Sequence, residues 1–351
     1  MQSTASDHRV PAPVIDLHCH RECGQAALLM KAEAERIGHV PLSFGSALTK
    51  EVNRRQLVDI KPKMESVEVR LADMDRMGVD IQALSIAPYQ TYYWADPVIA
   101  AESARTVNDE LAQLVGRHPD RFVGLGTVPL QDPDSAVTEL RRCMGDLGFK
   151  GLEVGTNVEG EELSSARLDG FWAAVEETGA VIFVHPIGFT HPQRLGEHYF
   201  FNVIGHPIEN TLAIANLIFG GTLERFPALK IVVAHGGGYL PAYAGRMDHA
   251  YHAREDVREG LPKPPGEYLR KLYFDTMVFE PDQLAFLVGK YGADHIVLGT
   301  DYPYDMGESD PVGLVARIPG LGEDQKAAIC GGNAARLMGI DTSSGLKERK
   351  S

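Results

Sequence analysis

Short apolar runs rich in Val, Ile and Leu recur along the chain, and longer stretches between them return an apolar residue every three or four positions. Eight runs have strand length: VIDLHCH (14–20), IQALSIA (81–87), FVGLGTVPL (122–130), GLEVG (151–155), VIFVHP (181–186), KIVVAHG (230–236), LYFDTMV (272–278) and HIVLGTDYP (295–303). Near-continuous apolar character suits strands covered on both faces, and amphipathic intervals suit crossover helices. In SVEVRLADMDRMG (66–78), Val67, Leu71, Met74 and Met77 share one helical face and Gly78 supplies the stop. Further helices are expected near 97–117, 133–147, 168–179, 208–225, 239–252, 281–291 and 310–318, with a closing helix near 323–338. Eight such repeats predict an α/β fold, a single (β/α)8 TIM barrel spanning residues 1–351 as one domain, with a small insertion at about 21–64 after the first strand. A second long connection covers 187–207, and proline-rich GLPKPPGEYLRK (260–271) reads as a surface excursion.

In such a barrel the chemistry sits at the C-terminal ends of strands. The first run ends in His18-Cys19-His20, the fifth in His185, the sixth in His235 and the eighth in Asp301. Strand alternation puts His18 and His20 on one side and Cys19 on the other. Neutral imidazoles with a carboxylate suit Zn²⁺ above all, one ion per subunit, with Mn²⁺ as an alternative; the shortage of further carboxylates argues against Ca²⁺ or Mg²⁺. Such a set leaves room for a water, whose pKa the metal lowers towards about 7. His235, in AHGGG, fits either of two roles, ligand or general base, and its glycines would let substrate approach the backbone. Glu153 and Asp275 read equally as supports of the site or as buried, hydrogen-bonded acids. Lys150 lies at the wrong end of its strand for a bridging ligand, Cys23 could approach the mouth of the site but reads rather as a structural thiol, and His191, His198 and His206 could face substrate but read rather as members of a solvated loop.

Composition narrows the class further. Lys plus Arg number 34 against 48 Asp plus Glu, giving a formal charge of −14, which disfavours nucleic-acid binding. No stretch approaches the roughly 18 uninterrupted apolar residues of a membrane span, and the start of the chain has no secretory pattern, so a cytoplasmic protein is expected. Four scattered cysteines, Cys19, Cys23, Cys143 and Cys330, make neither a disulfide framework nor a zinc knuckle.

DLHCH (16–20), MDRMGVDIQ (74–82), VPLQD (128–132), VHP (184–186), AHGGGYLPAYAGRMDHAYHAR (234–254), PKPPGEYL (262–269) and VLGTDYPYDMGE (297–308) together resemble the 2-amino-3-carboxymuconate-6-semialdehyde decarboxylase-like branch of the amidohydrolase superfamily. The resemblance runs nearly end to end. It implies a mononuclear zinc held by His18, His20, His185 and Asp301, with His235 as the acid/base residue and Asp301 shared between metal binding and catalysis. It also implies a homodimer in which Arg246 crosses to the neighbouring site and grips a substrate carboxylate as a bidentate fork. The branch's second substrate-binding arginine has no clear match in 40–64, where Arg54 and Arg55 are the candidates and Lys61 and Lys63 possible stand-ins. The expected activity is metal-dependent, non-oxidative decarboxylation of an unsaturated or aromatic carboxylic acid in the breakdown of an aromatic compound, using a metal-bound water and His235. The alternative is hydrolysis of a lactone, amide or C–C bond, or hydration of a double bond, in a small carboxylic acid. A non-catalytic barrel is the third reading, disfavoured because every strand-end ligand is intact.

Overall fold

A computed structural model describes residues 13–38, 45–189 and 192–342; His191 lies outside the described residues. The apolar runs form eight strands: β1 (Ile15–Arg21), β2 (Ile81–Ile86), β3 (Phe122–Gly126), β4 (Gly151–Val154), β5 (Val181–Val184), β6 (Lys230–Val233), β7 (Tyr273–Asp275) and β8 (Ile296–Val297). Each is parallel to the next. Backbone bonds from Leu17 N–H to Leu298 O (3.0 Å) and from His20 N–H to Tyr302 O (2.7 Å) join β1 to the segment after β8 and bring the sheet round to a nearly closed barrel.

Around it run α1 (Gly24–Ile37), α2 (Ala47–Glu65), α3 (Val67–Met77), α4 (Pro97–Arg117), α5 (Pro133–Gly145), α6 (Asp169–Thr178), α7 (His206–Phe219), α8 (Leu240–Ala253) and α9 (Pro281–Tyr291). Local signals set their ends. The Ser66 hydroxyl accepts from Val69 N–H at the start of α3, and Gly78 closes it in the left-handed region at φ 73°. None of the helices among the described residues is long and apolar enough to cross a membrane. Between β1 and α3 lie α1 and α2; residues 39–44 between them lie outside the described residues. Ile60 and Met64 of α2 pack on Ala87 and Tyr304, which follow β2 and β8, so this helix covers part of the C-terminal mouth.

Ile15, Leu17, Ile81, Ala83, Leu125, Val181, Phe183, Val232, Ala234 and Val297 fill the barrel interior, closed below by Ala334, Leu337 and Met338 of the last helix. The alternate residues, such as Leu84, Leu152, Ile182 and Ile231, pack outward in the larger cluster with the helices. One strand breaks this alternation. Asp16 and Cys19 of β1 oppose Gln82 and Leu84 of β2, so three steps on one strand face two on the other. The bulge lets Leu17 join the barrel interior while His18 and His20 reach the mouth.

Several elements differ from the sequence expectation. The third, seventh and eighth runs leave the ladder early because side chains take over backbone donors: Asn108 Oδ1 accepts from Thr127 N–H (2.9 Å) in the third, Asp275 Oδ1 from Met277 N–H (3.1 Å) in the seventh, and Thr276 Oγ1 from Gly299 N–H (3.1 Å) and Asp16 Oδ1 from Thr300 N–H (3.1 Å) in the eighth. The helix expected at 208–225 begins at His206, stops at Phe219, and resumes as a single turn, Thr222–Arg225. Residues 260–271 are not a surface excursion: Leu261, Tyr268 and Leu269 are buried, and the Tyr268 hydroxyl donates to Glu224 at 2.8 Å.

Candidate metal centre and substrate cavity

At the C-terminal mouth, ligand atoms of His18, His20, His185 and Asp301 lie within 4.8 Å of one another, all in buried side chains. Two of the imidazoles are aimed by their outer nitrogens. His18 Nδ1 sits 2.6 Å from Asp275 Oδ2, and His20 Nδ1 donates to Ile86 O at 2.8 Å. Both bonds place the ring proton on Nδ1, so the two Nε2 lone pairs converge at 3.1 Å, with Asp301 Oδ1 at 3.4 and 3.3 Å from them. Neither nitrogen of buried His185 has a hydrogen-bond partner, and neither does Asp301 Oδ1. Buried polar atoms left without partners cost about 1–3 kcal/mol each. A divalent cation is the group that removes that penalty and the lone-pair repulsion together, so these residues fit a metal.

Burial opposes charge on His18, yet Asp301 and Asp275 push it up to about 10; burial likewise opposes His20, which Glu153 and Asp301 push up to about 9. Burial, reinforced by the neighbouring imidazoles, pushes His185 well below its ordinary range. For Asp301 burial is outweighed by His18, His20 and His235, which hold the carboxyl well below the usual range.

Asp275 is a structural hub. Beyond His18, its Oδ2 accepts from His235 N–H (3.0 Å), and its Oδ1 from Gly236 N–H (2.8 Å) and Met277 N–H (3.1 Å). It thereby fixes a ligand and the turn carrying His235 with one carboxylate. That turn is left-handed throughout, with φ 54° at His235 and 62°, 79° and 66° at Gly236, Gly237 and Gly238. The glycines serve the fold more than the ligand: a Cβ on Gly237 would lie 2.6 Å from the Phe274 ring, and one on Gly238 only 2.2 Å from Pro207 O. Asp301 also adopts a left-handed φ, 53°. Such non-glycine strain concentrates at functional turns.

His235 stands beside the cluster rather than in it, with Nε2 3.7 Å from Asp301 Oδ2. Asn210 Nδ2 donates to Ala234 O (2.9 Å) and lies 3.2 Å from His235 Nδ1. Because the Ala234 carbonyl requires a donor, the amide orientation is fixed and its second hydrogen faces Nδ1. Neutral His235 therefore carries its proton on Nε2, towards Asp301.

A cavity of about 770 Å³ opens onto His235 and Asp301. Its walls are mainly apolar, including Val203, Met277, Val278, Phe279, Phe286 and Leu287, and no Lys or Arg is among the described residues that line it. His206 corrects the solvated-loop reading: it opens α7, is half-buried and lines this cavity, and loss of water together with the facing His235 pushes it down to about 3. His198 is exposed as expected. Arg54 and Arg55 are not brought to the cavity; both are exposed on α2 and pair with Glu51 at 2.9 and 3.7 Å. Arg246 is exposed on α8, outside the lining of its own chain's cavity. Lys150 precedes β4, at the opposite end from the metal ligands. Cys23 is buried, and burial pushes its thiol up to about 12. Glu153 is buried, with Oε2 3.5 Å from His20 Nδ1.

Two supports escaped the sequence reading. Asn210 left no motif signal. Arg70, fully buried, donates to Gln82 Oε1 (2.9 Å) and the His20 carbonyl and lies over the Tyr302 ring. Its signal was a charge at helical spacing with Val67 and Met74, on the buried face of α3.

The geometry defines a barrel with a His/Asp metal site and, beside it, a histidine that faces an apolar chamber. Comparison with known proteins takes the class one step further. The chain belongs to the amidohydrolase family, whose sequence profile matches residues 15–340. It is 39% identical over 275 residues, 78% of this chain and 77% of the relative, to the 2-amino-3-carboxymuconate-6-semialdehyde decarboxylase of Dictyostelium discoideum. To the gamma-resorcylate decarboxylase of Rhizobium radiobacter it is 30% identical, covering 83% of this chain and 90% of that one. The crystal structure of 5-carboxyvanillate decarboxylase from Sphingomonas paucimobilis superposes with a TM-score of 0.81 at 27% identity, over 94% of this chain and 100% of that one.

Proposed function

We propose that the protein is a metal-dependent, non-oxidative decarboxylase of an unsaturated or aromatic carboxylic acid, with one ion, Zn²⁺ by ligand chemistry, held by His18, His20, His185 and Asp301. The observation that carries this reading is the position of His235: outside the ligand set, 3.7 Å from Asp301, and at the inner end of an apolar cavity. The bound ion would act as a Lewis acid on an oxygen of the substrate or of water.

The protein's own groups account for the rest. The apolar wall of Met277, Val278, Phe279 and Phe286 takes the ring or diene and excludes water from it. His235, as an imidazolium, delivers its Nε2 proton to the carbon bearing the carboxylate and is left as the neutral ring, with Asn210 beside that ring and Asp275 holding its backbone for the transfer. Protonation interrupts conjugation, the bond to the carboxylate breaks, and its electron pair returns to the ring or diene as CO2 leaves. Asp301 faces both His235 and the ligand histidines, which suits it to stabilise the imidazolium before its proton is given up.

A substrate carboxylate needs a counter-charge that this cavity's lining lacks within one chain. The resemblance supplies one: Arg246, exposed on the helix that also brings Pro241 and Ala242 to the cavity, reaching into the site of a second copy. Mixing Arg246→Ala protein with His235→Ala protein tests the arrangement, since each mixed dimer then holds one intact site. With free exchange, about one quarter of sites regain activity if the arginine crosses, and none if it acts within its own chain.

The reaction is tested by incubating zinc-loaded protein with muconate-like and hydroxybenzoate-like acids in ¹⁸O-labelled water and following every product mass. Loss of CO2 with no label retained supports decarboxylation. Gain of labelled water refutes it in favour of hydrolysis or hydration at the same centre.

A further inference from the structure

A second cavity-facing imidazole has no part in the ligand set or in the proton transfer. His206 lies with its ring centroid 5.8 Å from that of His235, the two planes inclined by 31°, and 6.3 Å from that of His185. Its hydrogen-bond partner is Asn202, whose Nδ2 is 3.3 Å from His206 Nδ1. With that amide donating, the neutral ring carries its proton on Nε2, the nitrogen away from Asn202. The arrangement repeats the one at His235, where Asn210 faces Nδ1.

The remainder of the lining narrows what this N–H meets. The two acids there, Asp282 and Asp301, repel an anion. The wall formed by Met277, Val278, Phe279 and Phe286 offers carbon alone to a ring. The other polar groups of the described lining are the Asn202 and Gln283 amides and the Tyr239 hydroxyl, and His206 is the one whose ring faces His235. Building on the decarboxylase reading, we infer that His206 positions the substrate by donating from Nε2 to the carboxylate oxygen turned away from the metal ligands. Beside the counter-charge that Arg246 of a second copy would supply, a neutral donor fixes the carboxylate's direction without adding further charge stabilisation to a group that must lose its charge as CO2 departs.

The test is calorimetric binding to the zinc-loaded full-length protein of two probes that differ only in the carboxylate, 2,6-dihydroxybenzoate and resorcinol. His206→Phe keeps a ring of similar shape without the donor; His206→Gln keeps a side-chain N–H. The expected result is that His206→Phe weakens 2,6-dihydroxybenzoate by about 10- to 100-fold while resorcinol stays within about threefold, and that His206→Gln recovers most of the loss. Zinc content is measured in each variant and is expected to be unchanged. Equal loss of both probes, loss of neither, or a wild-type protein that does not distinguish them overturns the role of His206. These results separate from those in labelled water. CO2 release with unaltered His206→Phe binding removes His206 and leaves the decarboxylase reading. Carboxylate discrimination lost in His206→Phe, in a protein that adds water to its substrates, does the reverse.

Discussion

Asp275→Asn isolates the hub behind the metal site, because it changes one oxygen to an amino group with almost no change of shape. The native carboxylate accepts four hydrogen bonds, from His18 Nδ1 and the N–H groups of His235, Gly236 and Met277. The amide has two orientations. With its oxygen towards His18 and His235, the Gly236 and Met277 donors are both orphaned, at about 1–3 kcal/mol each. With its oxygen towards Gly236 and Met277, only the His235 N–H is orphaned, but His18 Nδ1 now faces a donor. The ring then moves its proton to Nε2 and points it at the metal site, where the lone pair is needed. The second orientation is cheaper for the fold and worse for the metal. The expected outcome is a stability loss of about 1–3 kcal/mol, together with metal binding weakened by about 10- to 100-fold. Competition with a chromophoric chelator measures the affinity, and denaturant unfolding of metal-free protein measures the stability. Metal affinity within about threefold of wild type would refute the tautomer argument.

His235→Ala removes the proton donor but no ligand: turnover should fall by at least about 100-fold with metal content intact, and loss of the metal would place His235 in the coordination sphere instead. Arg54→Ala and Arg55→Ala should leave KM within about twofold, since exposed pairs with Glu51 are screened and distant from the cavity; a tenfold rise would show that α2 closes over the substrate. Metal-free and metal-loaded protein should respond to pH in opposite senses. His18 and His20 are raised above the ordinary histidine value, so their protonated forms stabilise the metal-free fold below about pH 6.5, and that contribution is lost as pH rises towards 9 and 10. Metal must displace those protons, so its affinity rises with pH, by about tenfold per unit for each proton displaced; parallel slopes in the two experiments would contradict the assignment.

The strands and the ligands were legible for the same reason: buried parallel strands must be apolar along their length, so a histidine or aspartate at a strand end stands out. VIFVHP shows both facts in six residues. Where side chains replace ladder bonds, the reading failed, because Thr276, Asp16 and Asn108 look like ordinary polar residues until folding sets them against a backbone donor. His206 was hidden by its connection, whose polarity resembles that of a solvated loop; only the start of α7 beneath the cavity gives the ring a direction. Arg54 and Arg55 matched a chemical need without a helical phase to say which way they face. Arg246 poses the complementary problem, since one chain's geometry leaves it on the outside.

The bulge in β1 sets two demands out of step by one residue. Barrel packing needs Ile15 and Leu17 inward, metal binding needs His18 and His20 inward, and a regular strand satisfies only one of these sets. The bulge acts as a phase shifter between the part of the strand that makes the barrel and the part that makes the enzyme. A one-residue deletion between Asp16 and Cys19 would therefore yield a more regular sheet that still turns His20 inward but has lost either Leu17 from the barrel interior or His18 from the metal site. In this protein one extra residue lets the same seven residues of β1 fill the barrel and reach the metal site together.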